Sequence, residues 1–266
     1  TNAPMHKDTL ADALDKFSSL EVEKILNESV KILDKGKFID DDVYICDATD
    51  IETTEKCKDC GRKTIEKEHV NKKTGEMTKT LKTTYGFKLL VIRGVRSGIV
   101  VSAKFAKIQE SEKNYTLKLI KQAEENIGEK RMKVLLLDRG FIDGITLWTI
   151  KHGFKIDFII PATTAMDVTK DARGLRNSNG AGIWREVSDK ISAAGIKGLL
   201  SYDQYGDEEH NTKNKYSKDF AANPMNVVMV TRWDGKEYEK GKEKVFLTTL
   251  RVDKPLSVIK KYKLRS

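Results

Sequence analysis

The segment that most constrains the fold is Val134-Leu135-Leu136-Leu137-Asp138-Arg139-Gly140-Phe141-Ile142-Asp143-Gly144, where four aliphatic residues run straight into an acid and a turn. An apolar run without alternation suits a strand covered on both faces, and that requires helices packed on each side of a sheet. In open α/β sheets, side chains leave the core beyond the carboxyl ends of the strands, so Asp138 stands where a functional carboxylate is expected. The plainer reading is a turn or capping aspartate ahead of Gly140.

The flanking pattern supports such a sheet. Leu10, Leu14 and Phe17, then Val22, Ile25, Leu26, Val30 and Leu33, have helical spacing, with Ser18 or Ser19 as the cap between two helices. Val43 to Ala48 reads as a strand, and Phe87 to Val95 with Ile99 to Phe105 as a hairpin turned by Ser97-Gly98. A helix over 112–127, a strand over 133–137, a helix over 143–152 and a strand over 155–160 follow. This order predicts an α/β sheet of mixed direction.

Residues 162–250 change texture, with strand candidates at 196–202, 227–233 and 244–250, and read as a β-rich insertion. Pro255 opens a helix through Leu256, Ile259 and Tyr262 that is still running at Ser266. The expected organisation is a helical segment over 1–40, a core over 41–161 plus 251–266, and the insertion over 162–250. Within the core, 50–82 is a polar, lysine-rich insert or long hairpin holding Cys57, Cys60 and His69.

Composition narrows the function classes. A chain of 266 residues, 39% hydrophobic, buries a large core. It holds neither a run of roughly 18 apolar residues nor the apolar block of a secretory signal, so a cytoplasmic protein without a membrane partner is expected. The net charge of +9 favours a polyanionic partner weakly, because acids and bases are interspersed. Three cysteines do not make a disulfide framework.

Asp47 lies inside the apolar strand Tyr44 to Ala48, where an unpaired carboxylate is costly. It is 91 positions from Asp138 (138 − 47), so the two meet only if their strands adjoin. Together they would form an oxygen site suited to Mg²⁺ or Mn²⁺. Cys57 and Cys60, with His69, have the form of a zinc knuckle whose fourth ligand is water, Glu66, Glu68 or a second molecule. The alternative is a pair of reduced surface thiols. Cys46, beside Asp47, is expected to face the core. Lys88 and Lys104 alternate with apolar neighbours as solvated edge charges, and Trp148 and Trp184 read as packing residues. His6, His152 and His210 read as structural or surface side chains.

The order of motifs resembles the DDE transposases of the insertion-sequence-four type, through YICDATD (44–50), YGFKLLV (85–91), LLLDRGFIDG (135–144), FIIPAT (158–163), VFLTTL (245–250) and YKLRS (262–266). The resemblance implies a ribonuclease-H-like core, with Asp47 and Asp138 as the first two acids of the triad and as ligands of Mg²⁺ or Mn²⁺. It further implies that Tyr262 and Arg265 begin the signature Tyr, two residues, Arg, three residues, Glu, and that Arg265 contacts a DNA phosphate. The implied partners are double-stranded DNA at transposon ends and target, the implied assembly is a homodimer on DNA, and the implied location is the nucleoid. The triad glutamate falls four residues after Arg265, beyond Ser266, so the chain as given is expected to lack one ligand and to be inactive. A truncated or domesticated transposase that binds DNA without cutting is the alternative. A haloacid-dehalogenase-type phosphatase is disfavoured, because its motif asks for a second aspartate where Thr49 stands.

Overall fold

The computed structural model describes residues 18–70, 77–176, 180, 182–200 and 224–265. The apolar run forms β5 (Val134–Leu137), and all four of its residues are buried. It lies parallel to β1 (Val43–Thr53) on one side and to β6 (Asp157–Pro161) on the other. Beyond β1 come β3 (Met77–Gly94) and then β4 (Val100–Lys107), both antiparallel to their neighbours. The order β4-β3-β1-β5-β6 is the mixed α/β sheet that the ribonuclease-H-like expectation requires.

Alternation along these strands divides the core into two layers. Tyr44, Cys46, Leu135, Leu137, Phe158 and Ile160 face one layer, covered by α1 (Ser19–Lys35), α2 (Lys113–Ile127), α3 (Gly144–His152) and α4 (Asp167–Leu175). Val43, Ile45, Val134, Leu136 and Ile159 face the other, where α5 (Pro255–Tyr262) contributes Val258 and Ile259. Ser18 starts α1 with a capping box: its hydroxyl accepts from the Glu21 amide and its own amide donates to the Glu21 carboxylate.

The polar segment after Ala48 is a hairpin arm. β1 runs on to Thr53, and β2 (Gly61–Val70) pairs with the first half of β3 from Val70 opposite Met77 to Gly61 opposite Gly86. Glycine is needed at this junction, since a Cβ on Gly86 would lie 2.1 Å from the Ile51 carbonyl oxygen and one on Gly61 would lie 2.7 Å from Lys107 Cβ.

The strands of 162–250 prolong the same sheet. β11 (Lys244–Thr248) pairs with β6, and β9 (Met225–Trp233), β8 (Ser192–Leu199) and β7 (Ile183–Val187) follow in turn, with β10 (Lys236–Glu237) beside β9. This stretch also holds α4, which the strand-only expectation missed. The last expected helix is shorter than its pattern: α5 ends at Tyr262, and Lys263–Arg265 tightens into a 3₁₀ turn. No helix among the described residues is long and apolar enough to cross a membrane.

Glu243 ties α4 to β11. It is 4% exposed and accepts from Arg173 Nε at 3.0 Å, Arg176 Nη1 at 2.6 Å and the Gly241 amide at 2.9 Å. Burial raises its pKa, but the backbone hydrogen bond and the two guanidiniums outweigh it and hold the carboxyl below its ordinary value. Glu243→Gln leaves two arginines facing a neutral amide and should lower the unfolding free energy by about 3 kcal/mol in urea denaturation. A depressed carboxyl stabilises above its unfolded pKa and loses that contribution as pH falls through the folded one. The difference between wild type and variant should therefore close on acidification through the carboxylate range.

Candidate active site

The last paired rung of β1 and β5 is Cys46 opposite Leu137, and the next residue on each strand is Asp47 and Asp138. Parallel pairing thus sets side by side two acids far apart in sequence. Both lie on the α5 side of the sheet, because Cys46 and Leu137 face the opposite layer. Burial pushes the Cys46 thiol pKa up, with the Asp47 charge adding to it, so this cysteine is an inert core residue, as its position predicts.

The 3₁₀ turn after α5 brings Arg265 onto the pair. Its Nη2 donates to Asp47 Oδ1 at 2.8 Å and lies 3.5 Å from Asp138 Oδ2. Each acid also accepts from the amide after it: Ala48 to Asp47 at 2.9 Å and Arg139 to Asp138 at 2.7 Å. The Tyr262 hydroxyl donates to the Leu137 carbonyl at 3.4 Å, and its ring packs on Phe246 with centroids 4.7 Å apart. The four residues singled out in the sequence as acids and their companions therefore meet at one place.

The acids are open and the cation is shielded: side-chain exposure is 45% for Asp47 and 53% for Asp138, against 20% for Arg265. Burial alone would lower the Arg265 pKa, but Asp47 and Asp138 more than reverse that. The guanidinium stays charged. Burial raises the Tyr262 pKa, opposed by Arg265 and reinforced by Asp138, so the phenol remains a neutral donor. Two oxygen-only ligands already holding one cation between them are chemically suited to hard divalent ions.

The cysteine motif does not assemble a comparable centre. Cys57 and Cys60 lie in the turn before β2, with Sγ directed to the carbonyls of Lys58 at 3.8 Å and Thr54 at 3.9 Å. His69 is nine residues along β2 from Cys60 (69 − 60), which separates their backbones by about 30 Å in an extended strand. The hairpin therefore does not bring the three together. Among the described residues, no group of three or more His, Cys, Asp and Glu side chains is placed to hold a metal ion.

Two lysines correct the expectation of edge charges. Lys88 is 5% exposed and donates to Glu112 Oε1 at 2.6 Å and to the Glu110 carbonyl at 2.9 Å, while Lys104 pairs with Glu23 of α1. Strand alternation explains both: Lys88 shares a face with Leu90 and Ile92, and Lys104 pairs in register with Leu90. Trp148 is half-buried against the first layer, beside the His152 ring at 5.1 Å, and Trp184 packs on the second. His6 and His210 lie outside the described residues.

Adjoining acids at the ends of parallel strands in a mixed sheet, with an arginine across them, define a strand-end carboxylate site. The chain belongs to the transposase DDE domain family, which matches residues 39–266. No curated protein matches the chain. Among solved structures it is similar to the piggyBac transposase synaptic complex with hairpin DNA, at 9% identity and a TM-score of 0.39, over 80% of this chain and 34% of that one. The chain thus spans about a third of that protein's length.

The three thiols should separate in a labelling experiment. Titration of the native protein with a thiol-reactive disulfide reagent should modify Cys57 and Cys60 within minutes, and Cys46 only after denaturant is added.

Proposed function

We propose that this chain is the strand-cutting and strand-joining core of a transposase acting on double-stranded DNA at transposon ends, with Asp47 and Asp138 as the first two acids of its catalytic triad. The observation that carries the reading is the acid pair one residue past the last paired rung of β1 and β5, already neutralised in part by Arg265. Asp47 and Asp138 are the residues that would hold Mg²⁺ or Mn²⁺. When bound, such ions activate a water or a DNA 3′-hydroxyl for in-line attack on a phosphodiester.

The protein's own part is to present and to release charge. Asp47 and Asp138 present unshared oxygens to solvent at the end of a rigid strand pair. Were a divalent cation to take its place on the acids, the fork of donors on Arg265 would be free for a phosphate oxygen. Tyr262, anchored on the Leu137 carbonyl, fixes the base of the turn from which Arg265 extends.

In the transposase that carries this domain, Asp47→Asn or Asp138→Asn should reduce Mg²⁺-dependent cleavage of transposon-end DNA by about a thousandfold or more. Binding to the same duplex, followed by fluorescence anisotropy, should change by less than about threefold, because phosphate contacts dominate affinity. Cleavage retained by either variant would refute the assignment. Arg265→Gln should tighten Mn²⁺ binding to the metal-free chain about fivefold, as read by electron paramagnetic resonance, since it removes a competing cation. Unchanged affinity would show that the guanidinium does not compete for the acids.

A further inference from the structure

The Lys88–Glu112 ion pair lies on the helix-covered side of the sheet and takes no part in the chemistry just described. Lys88 points from β3 into the helix-covered layer, its side chain 6% exposed, and two of its three donors are taken by Glu112 Oε1 and the Glu110 carbonyl. Glu112 is the residue preceding α2, and its carboxylate caps none of the helix amides. Instead it reaches the backbone that follows Asp138. A Cβ built on Gly140 would lie 3.3 Å from Glu112 Cδ and 3.3 Å from its Oε2. Gly140 is the middle residue of the 3₁₀ turn Arg139–Phe141, whose first amide holds the Asp138 carboxylate.

A buried ion pair of this kind adds little net stability compared with apolar groups of the same volume. Its placement is what distinguishes it. The lysine is rooted in the strand paired with β1, opposite Asp50 and three residues before Val91, which lies opposite Asp47. The glutamate carboxylate lies beside the turn that follows Asp138, in the space a side chain at Gly140 would enter. One rigid connection therefore runs from the strand beside the first acid to the backbone beside the second. Glycine at 140 allows that contact, since a side chain there would meet a carboxylate that Lys88 holds in place.

We infer that Lys88 and Glu112 are positioning residues, a strut that sets the Asp138 carboxylate at its working separation from Asp47. This rests on the reading of Asp47 and Asp138 as a cation site. With the strut in place, Asp138 is presented toward Asp47; without it, the 139–141 turn settles toward α2 and the two acids lose their common focus.

The test is Mn²⁺ affinity, measured by electron paramagnetic resonance on the chain as it stands, beside thermal unfolding by circular dichroism. The double variant Lys88→Met with Glu112→Leu removes both charges together, so it leaves neither ion uncompensated and does not alter the net charge near the site. It should unfold in one transition within a few degrees of wild type and yet bind Mn²⁺ about tenfold more weakly. A merely structural pair would move the melting temperature and not the affinity, and wild-type affinity in this variant would overturn the proposal. Gly140→Ala, on an exposed turn, serves as the second variant: it should weaken Mn²⁺ several-fold in the wild-type background and have no effect once Glu112 is leucine. An equal effect in both backgrounds would count against the strut. Asp47→Asn separates the two failures: if it leaves Mn²⁺ binding intact, the cation site itself is wrong and the strut falls with it.

Discussion

The parallel pairing of β1 with β5 is the constraint on which the rest of the structure depends. Four rungs, Val43 opposite Val134 to Cys46 opposite Leu137, fix the two strands in register. A slip of one residue would turn every side chain of one strand to the other face. Here it would send Asp138 into the helix-covered layer and leave Asp47 alone. Because both faces are buried, the apolar residues on either side oppose such a slip, and the acids inherit their alignment from core packing. Core packing thus brings the two carboxylates to neighbouring strand ends, and only their fine spacing is left to the side chains around the 139–141 turn.

The second dependence is on α5. Its Val258 and Ile259 seat it on the layer formed by Ile45, Leu136 and Ile159, and Tyr262 closes the end of that layer against Phe246 and the Leu137 carbonyl. Arg265 begins three residues later, so the position of the guanidinium is set by the same core that sets the acids. The sheet extension through β11, β9, β8 and β7 supplies the surface on which α5 rests. The segment between β6 and α5 thus acts on the site at a distance, by giving the last helix something to pack against.

How legible this was in the sequence follows from how much of each feature is local. The unbroken run before Asp138 announced a strand covered on both sides, and the isolated acid in Tyr44 to Ala48 announced a second carboxylate; their adjacency could not be read from the chain, because register is a tertiary property. Lys88 was misread for the opposite reason. Its inward direction was available from its parity with Leu90 and Ile92, but a charge on a strand is assumed to face water, and the Glu112 that neutralises it is 24 residues away. The Cys57, Cys60 and His69 spacing suggested convergence although the segment also read as an insert or long hairpin. Once it is an extended hairpin, sequence proximity becomes separation. The short edge strand β7 was missed because its residues are largely half-exposed and carry little alternation.

The ionised groups divide by exposure and charge balance. Glu243 faces two arginines, so its cluster carries +1 (−1 + 2), and Lys88 with Glu112 is neutral (+1 − 1); in each the central group is nearly excluded from water. Asp47 and Asp138 share one arginine, which leaves −1 (−2 + 1), and both remain about half-exposed. A buried ion must have an opposite charge against it, because an uncompensated ion in the interior is prohibitively costly, and the surplus charge around Glu243 sits on arginines that are about a fifth exposed. An exposed cluster can keep an excess, held ready by water. The residual negative charge at the end of β1 and β5 is therefore what distinguishes this group from the ion pairs that hold the frame: it is a place where a further cation gains energy by arriving.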